Sequence, residues 1–200
     1  MSPLVESLKL KDGCICNMEF HNERLNRSMQ ELFPGTPTVD LNAVIQIPAD
    51  QQTGLYKIRV LYLDRIQQVE ITPYQFRTIH SLKVVRHNSI DYHLKYSDRE
   101  LLNELYKQRG SCDDIIIVKN GLVGDSFAAN LLFYDGNKWV TPDTPLLKGT
   151  QRQRLLSEGR ITEKTIREAD IRSYHKIGLI NAMVSFEEMP VIPVEQVVYG

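Results

Sequence analysis

Four short stretches carry side chains suited to chemistry on a bound organic group. Lys95 closes Tyr92-His93-Leu94-Lys95, just ahead of a helix. A lysine held away from water gives up its proton near neutral pH and can attack a carbonyl carbon, which makes Lys95 a candidate Schiff-base amine. Asp125 opens Asp125-Ser126-Phe127-Ala128-Ala129-Asn130, a carboxylate among small residues between two hairpins. Such a group can pair with a protonated pyridine nitrogen. Lys148-Gly149-Thr150-Gln151-Arg152 starts a helix at a glycine. Helix N-terminal N–H groups bind phosphate, and glycine allows close approach. Arg24 stands in His21-Asn22-Glu23-Arg24-Leu25, and a guanidinium also suits a phosphate. Taken singly, each reads more readily as a solvated lysine, a turn aspartate, a glycine-started helix or a polar helix face. Their order along the chain is more specific than any one of them.

Other reactive types form no such set. Cys14 and Cys16 share one face of an expected strand, but no matching Cys or His pair completes a metal site. The histidines are scattered without i,i+4 pairing, and Ser126 has no partner histidine in a triad motif. In an extended segment His93 would share the face of Lys95 and line its pocket.

The elements that must position these residues follow from the pattern. Leu4–Leu10 and Cys14–Met18 read as strands around Lys11-Asp12-Gly13, and Phe20–Phe33 as a helix ended by Pro34-Gly35. Val39–Ile47 reads as a short helix near Asp40. Tyr56–Asp64, Gln67–Pro73 and Ser81–Val85 read as strands. Ser97–Gln108 reads as a helix with Ser97 as N-cap and Glu100 three residues on. Asp114–Lys119, Leu122–Asp125, Asn130–Tyr134 and Lys138–Thr141 read as two hairpins, the first turning at Asn120-Gly121. Gly149–Glu158 and Thr162–Arg167 read as helices. Asp170–Val184 holds a further periodic run, and Val191–Val198 a closing strand. The result is an α+β chain of two lobes, residues 1–88 and 89–200.

Composition sets outer bounds. The chain has 200 residues, 42% apolar and 24% charged, enough for a real core without disulfides. Its net charge of −1 gives no basic excess for nucleic acid or anionic lipid. No apolar run is long enough to cross a bilayer. Three cysteines and no signal-like N-terminus point to a reducing cytoplasm.

Together these stretches resemble the fold-type IV enzymes that use pyridoxal phosphate (PLP): class IV aminotransferases, among them branched-chain and D-amino acid aminotransferases, and 4-amino-4-deoxychorismate lyase. The likeness runs through Val5-Glu6-Ser7-Leu8-Lys9, Gly13 and His21-Asn22-Glu23-Arg24-Leu25. It continues through Lys95, then Asp125 with Asn130-Leu131-Leu132, Thr141-Pro142, Gly149-Thr150-Gln151-Arg152 and Pro193-Val194. It covers essentially the whole chain, as an N-terminally short member. The resemblance implies a two-lobed fold with a small N-terminal α/β lobe and a larger mixed-sheet C-terminal lobe. It implies PLP on Lys95, its phosphate held by Arg24, Gly149, Thr150 and Gln151, and its ring nitrogen held by Asp125. It implies a homodimer acting on a small amino acid or amino-chorismate, by transamination or, alternatively, by elimination of pyruvate. The chain departs from the family pattern at Asp125 (usually Glu), Gln151 (usually Thr) and Glu100 (where Tyr is common). These departures keep a third reading open, a catalytically inactive relative that serves as a binding or structural protein. Leu55, Ile58, Val60 and Tyr62 are apolar residues that a lone small lobe is expected to leave for a partner.

Overall fold

The computed structural model describes residues 2–200. The chain divides into two compact units, each with its own sheets. The first contains residues up to Phe76 together with Leu94–Asp98; the second contains Arg77–His93 and Arg99–Gly200. The division at residue 76 replaces the expected boundary at 88. The reason is strand β5 (Leu82–Arg86), which pairs in parallel with β6 (Asp114–Lys119) of the second unit.

The first unit is a four-stranded sheet carrying a helix. Strands β1 (Leu4–Lys11), β2 (Cys14–Ile15), β3 (Leu55–Tyr62) and β4 (Ile66–Pro73) order as β2-β1-β3-β4, all antiparallel. Asp12 and Gly13 take φ of 48° and 77°, the paired positive values of a tight hairpin turn, which glycine accepts without strain. Helix α1 (Met18–Leu32) buries His21, Arg24, Leu25, Ser28 and Met29, the i, i+3, i+4, i+7, i+8 stripe of one helix face. A short α2 (Leu41–Val44) starts at Asp40, whose side chain accepts from the Asn42 N–H. The core joins Leu4, Leu8 and Leu10 of β1 to Leu25, Met29, Leu41, Ile58, Val60 and Tyr62. Ile58, Val60 and Tyr62 are therefore covered within the unit, so they do not call for a partner.

Residues 94–98 return to this unit by pairing with β1. Val5 N–H donates to Lys95 O at 2.9 Å, Leu4 bridges Tyr96, and Ser97 N–H donates to Pro3 O. The Ser97 hydroxyl lies 3.3 Å from that of Ser2 and the N-cap position falls to Arg99, so Ser97 does not cap the next helix. Helix α3 (Glu100–Lys107) starts after Arg99, three residues later than expected.

The second unit packs two sheets against each other. One is β13-β5-β6-β7, with β7 at Leu122–Val123 and β13 at Val197–Val198. The other is β10-β9-β8-β11-β12, formed by β8 (Asn130–Tyr134), β9 (Trp139–Pro142), β10 (Thr162–Lys164), β11 (Lys176–Ile180) and β12 (Val191–Pro193). Leu82, Val84, Ile116 and Val118 of the first meet Leu131, Phe133, Val140, Ile177 and Leu179 of the second in a dry core. Helix α4 (Thr150–Ser157) lies between β9 and β10 in sequence. Residues 162–167 are not the expected helix: Thr162, Glu163 and Lys164 add as a parallel edge strand on β9. The closing strand breaks in two, β12 pairing with β11 and β13 with β5, so one segment finishes both sheets. The run from Asp170 likewise splits into a 3-10 turn (Glu168–Ser173) and β11. Among the described residues, no helix is long and apolar enough to cross a membrane.

Candidate active site

In the first unit, strand alternation puts Glu6 on the same face of β1 as Leu4, Leu8 and Leu10, toward α1. The H-x-x-R-L spacing puts His21 and Arg24 on the facing side of α1. The three meet in a buried network. Arg24 donates through Nε to Glu6 Oε1 at 2.8 Å and through Nη2 to Glu6 Oε2 at 2.6 Å, a two-pronged ion pair. His21 Nδ1 lies 2.6 Å from Glu6 Oε2. Burial alone would raise the Glu6 pKa, but the Arg24 charge and the bonds from His21 and Arg24 outweigh it and hold it at about 2. An ionised carboxylate only accepts, so Nδ1 carries the hydrogen. Burial lowers the His21 pKa despite Glu6, and the charges of Arg24 and Lys95 add to that, so the ring is neutral at pH 7. Lys95 belongs to this same unit, tied to β1 one residue from Glu6 through Val5.

In the second unit, Asp125 is 6% exposed and follows the second strand of the first hairpin, bridging Asn130. Asn130 Nδ2 donates to Asp125 Oδ1 and Leu147 N–H donates to Asp125 Oδ2, both at 2.8 Å. Both donors are neutral. Desolvation therefore dominates and lifts the Asp125 pKa to about 6, against the lowering by these bonds and by the more distant Arg152 charge. Asn130 also donates to Leu147 O, which fixes the amide between the two segments. Gly149 follows closely: a Cβ there would stand 2.1 Å from Asn130 Oδ1, so no side chain fits. Gly149 is the N-cap of α4 and offers no side chain to cap it. Thr150 and Gln151, the first residues of that helix, are buried, as is Arg152. Arg152 is not turned to the helix N-terminus. It donates to Thr141 Oγ1, Pro142 O and Glu163, tying α4 to β9 and β10.

The candidate residues thus form two groups, Arg24 and Lys95 in one unit, Asp125, Gly149, Thr150 and Gln151 in the other. His93, expected to share a face with Lys95, falls in a bend, so strand alternation does not apply to it. Its Nδ1 pairs with Asp91 at 2.7 Å, and it lines a groove of about 370 Å³ with Tyr92, Lys119 and Leu146. Two features escape a reading of the sequence. The mutual pairing of Glu6 with His21 and Arg24 is signalled only by a charged residue inside an apolar strand. The Leu147 N–H carries no signal at all, since it is backbone.

A sequence model of the amino-transferase class IV family matches residues 3–197. The chain belongs to that family. An uncharacterized protein of Haemophilus influenzae is 43% identical over 185 residues, 92% of this chain and 98% of that one. The crystal structure of a Haemophilus somnus protein, provisionally assigned as a 4-amino-4-deoxychorismate lyase, superposes with a TM-score of 0.88. It is 37% identical, over 93% of this chain and 98% of that one. A hypothetical aminotransferase of Mycobacterium tuberculosis, solved in a PLP-bound form, shares the fold with a TM-score of 0.77. It is 18% identical, over 96% of this chain and 80% of its own. The α+β, mixed-sheet architecture is that of the fold-type IV enzymes, and class IV members are PLP-dependent.

Proposed function

We propose that this class IV chain is a PLP-dependent aminotransferase in which Lys95 carries the cofactor. The observation that carries the reading is Asp125: a buried carboxylate whose bonded donors are neutral. A protonated pyridine nitrogen supplies the positive charge that these donors lack, so the residue suits the group. The α4 N-terminus, which starts at Gly149 with no side-chain cap, suits a phosphate.

PLP, when bound, supplies an aldehyde carbon and a cationic ring that takes up electron density from the substrate Cα. Each residue has a defined task around it. Lys95 Nζ would hold the aldehyde carbon and, as a free amine, would take the proton from the substrate Cα. Asp125, oriented by Asn130 and Leu147, keeps the ring nitrogen protonated. Gly149, Thr150 and Gln151 hold the phosphate at the start of α4. Arg24 contributes a positive charge whose direction Glu6 fixes. The substrate is a small amino acid, and the active form is a cytoplasmic homodimer. With Ile58, Val60 and Tyr62 covered inside their own unit, the dimer rests on family likeness alone.

A second reading, elimination of pyruvate from an amino-deoxychorismate, is favoured by the 37% identical relative from Haemophilus somnus. The first test is borohydride reduction of the PLP-treated protein followed by peptide mapping. The pyridoxyl group is expected on Lys95, with Lys95→Ala unlabelled and at least about a thousandfold slower. A label elsewhere, or no uptake, refutes the proposal. Spectral turnover with an amino donor then supports transamination, and pyruvate release from aminodeoxychorismate supports the lyase reading.

A further inference from the structure

Arg99 is a cation that the fold holds in place with no anion paired to it among the described residues. Its guanidinium carbon lies 4.1 Å from the centroid of the Phe127 ring. That ring also stacks on Tyr106, at 4.2 Å and 25°. Tyr106 is itself anchored by its hydroxyl to Asp113 O and contacted by the Arg109 guanidinium at 4.1 Å. Arg99 Nη2 donates to Phe127 O at 2.6 Å. A planar group fixed on one face by a ring and on one edge by a carbonyl has lost most of its rotational freedom before any ligand arrives.

Its hydrogen bonding is nevertheless incomplete. Arg99 Nε is buried and has no hydrogen-bond partner. Among the described residues, no carboxylate forms an ion pair with Arg99. Asp114 and Tyr92 act on it only at a distance, and burial lowers its pKa. Asp114 is engaged elsewhere, accepting from the Ile115 and Phe127 N–H groups. A desolvated guanidinium without a counter-ion costs stability, and a planar two-oxygen anion is the ligand that matches its fork. The place is also informative. Phe127, which Arg99 grips by ring and carbonyl, is two residues from Asp125, and Ser126 and Ala129 close that loop by mutual hydrogen bonds.

We propose that Arg99 forms a carboxylate subsite, built by the Phe127 ring and carbonyl, that receives a carboxylate of the substrate. The proposal rests on the PLP reading for the substrate's identity, but the subsite itself belongs to this chain. Arg99 would then set specificity for anionic substrates.

The experiment titrates pyruvate and its neutral analogue pyruvamide, by calorimetry, into the apo and the PLP-loaded protein. Wild type, Arg99→Gln and Arg99→Lys are compared. Pyruvate is expected to bind the wild type and to bind Arg99→Gln about 10- to 100-fold more weakly, the loss of a charge-assisted pair. Arg99→Lys should lose less, since it keeps the charge but not the fork. Pyruvamide should not distinguish the three, and Lys95 labelling should persist in each. Equal pyruvate affinity in wild type and both variants overturns the proposal, as does an equal loss for pyruvamide. A shifted absorbance maximum of the bound cofactor in Arg99→Gln, with pyruvate affinity unchanged, would also overturn it by assigning Arg99 to the cofactor ring. The two arms separate the failures: missing Lys95 labelling in the PLP-treated protein sinks the PLP reading, whereas the pyruvate titration of the apo protein judges Arg99. Should Arg99→Gln fail to fold, the pyruvate affinity of Arg99→Lys against wild type decides the question.

Discussion

Glu6 and Asp125 are both buried carboxylates, one in each unit, and their pKa values move in opposite directions. Glu6 is held at about 2 and Asp125 is raised to about 6. Desolvation pushes both upward, so the partners make the difference. Glu6 receives a guanidinium on both oxygens. Asp125 receives the Asn130 amide and backbone N–H groups of the 146–147 segment. A buried charge whose counter-charge is built in is satisfied by the fold itself and costly to break, whereas one served only by neutral donors leaves room for a cationic ligand.

The pH dependences follow with opposite sign. The folded pKa of Glu6 lies below its ordinary 4.5, so its contribution is present above that value and lost as pH falls through about 2. The folded pKa of Asp125 lies above its ordinary 3.8, so its contribution is full below that value and lost as pH rises through about 6.

The largest expected effect comes from breaking the self-sufficient member. Glu6→Gln strands Arg24 in a buried site and should lower stability by about 3–5 kcal/mol at pH 7 in urea unfolding. A loss under about 1 kcal/mol would mean that the network is not integral to the fold. Asp125→Asn should do the reverse in the apo protein. It should raise stability at pH 7–8 by up to about 3 kcal/mol and change nothing near pH 3.5, a contrast that thermal melts across pH would resolve. The same variant should slow the half-reaction with an amino donor by about a hundredfold, because the ring charge is no longer held. If Asp125→Asn were less stable at pH 8 than at pH 4 relative to wild type, the comparison would collapse.

Smaller changes sharpen it. Gly149→Ala forces Asn130 aside, since the new Cβ would stand 2.1 Å from its Oδ1. Loss of the Asn130 bond should raise the Asp125 pKa further and weaken PLP binding by about 1–3 kcal/mol, read by fluorescence titration. Asp125→Glu restores the group usual in the resembled family. It should keep turnover within about tenfold of wild type, the extra methylene being the only strain. A null Asp125→Glu enzyme would show that backbone placement, and not carboxylate chemistry, governs the position.

Much of this is legible in the sequence, for local reasons. His21-x-x-Arg24-Leu25 forces three side chains onto one helix face, whatever surrounds them. Asn120-Gly121, with φ of 52° and 77°, is a tight hairpin turn as its residue types require. The five-residue step from Asp125 to Asn130 is short enough for the loop to close on itself. Where sequence and structure part, a distant strand intervenes. Ser97 has the chemistry of an N-cap but is held by Pro3, next to β1. Residues 162–164 pair with β9 across twenty-two positions, and no local periodicity reports an edge strand three residues long.

The sequence by itself determined the family, the order of the candidate residues and the local turns and helix faces, because these depend on residue type and short spacing. Only the tertiary structure decided which buried carboxylate is bonded by a cation and which by neutral donors, where residues 94–98 belong, and that no carboxylate among the described residues pairs with Arg99. Those outcomes depend on desolvation and on donors brought in from tens of residues away, and neither quantity is carried by a residue's neighbours in the chain.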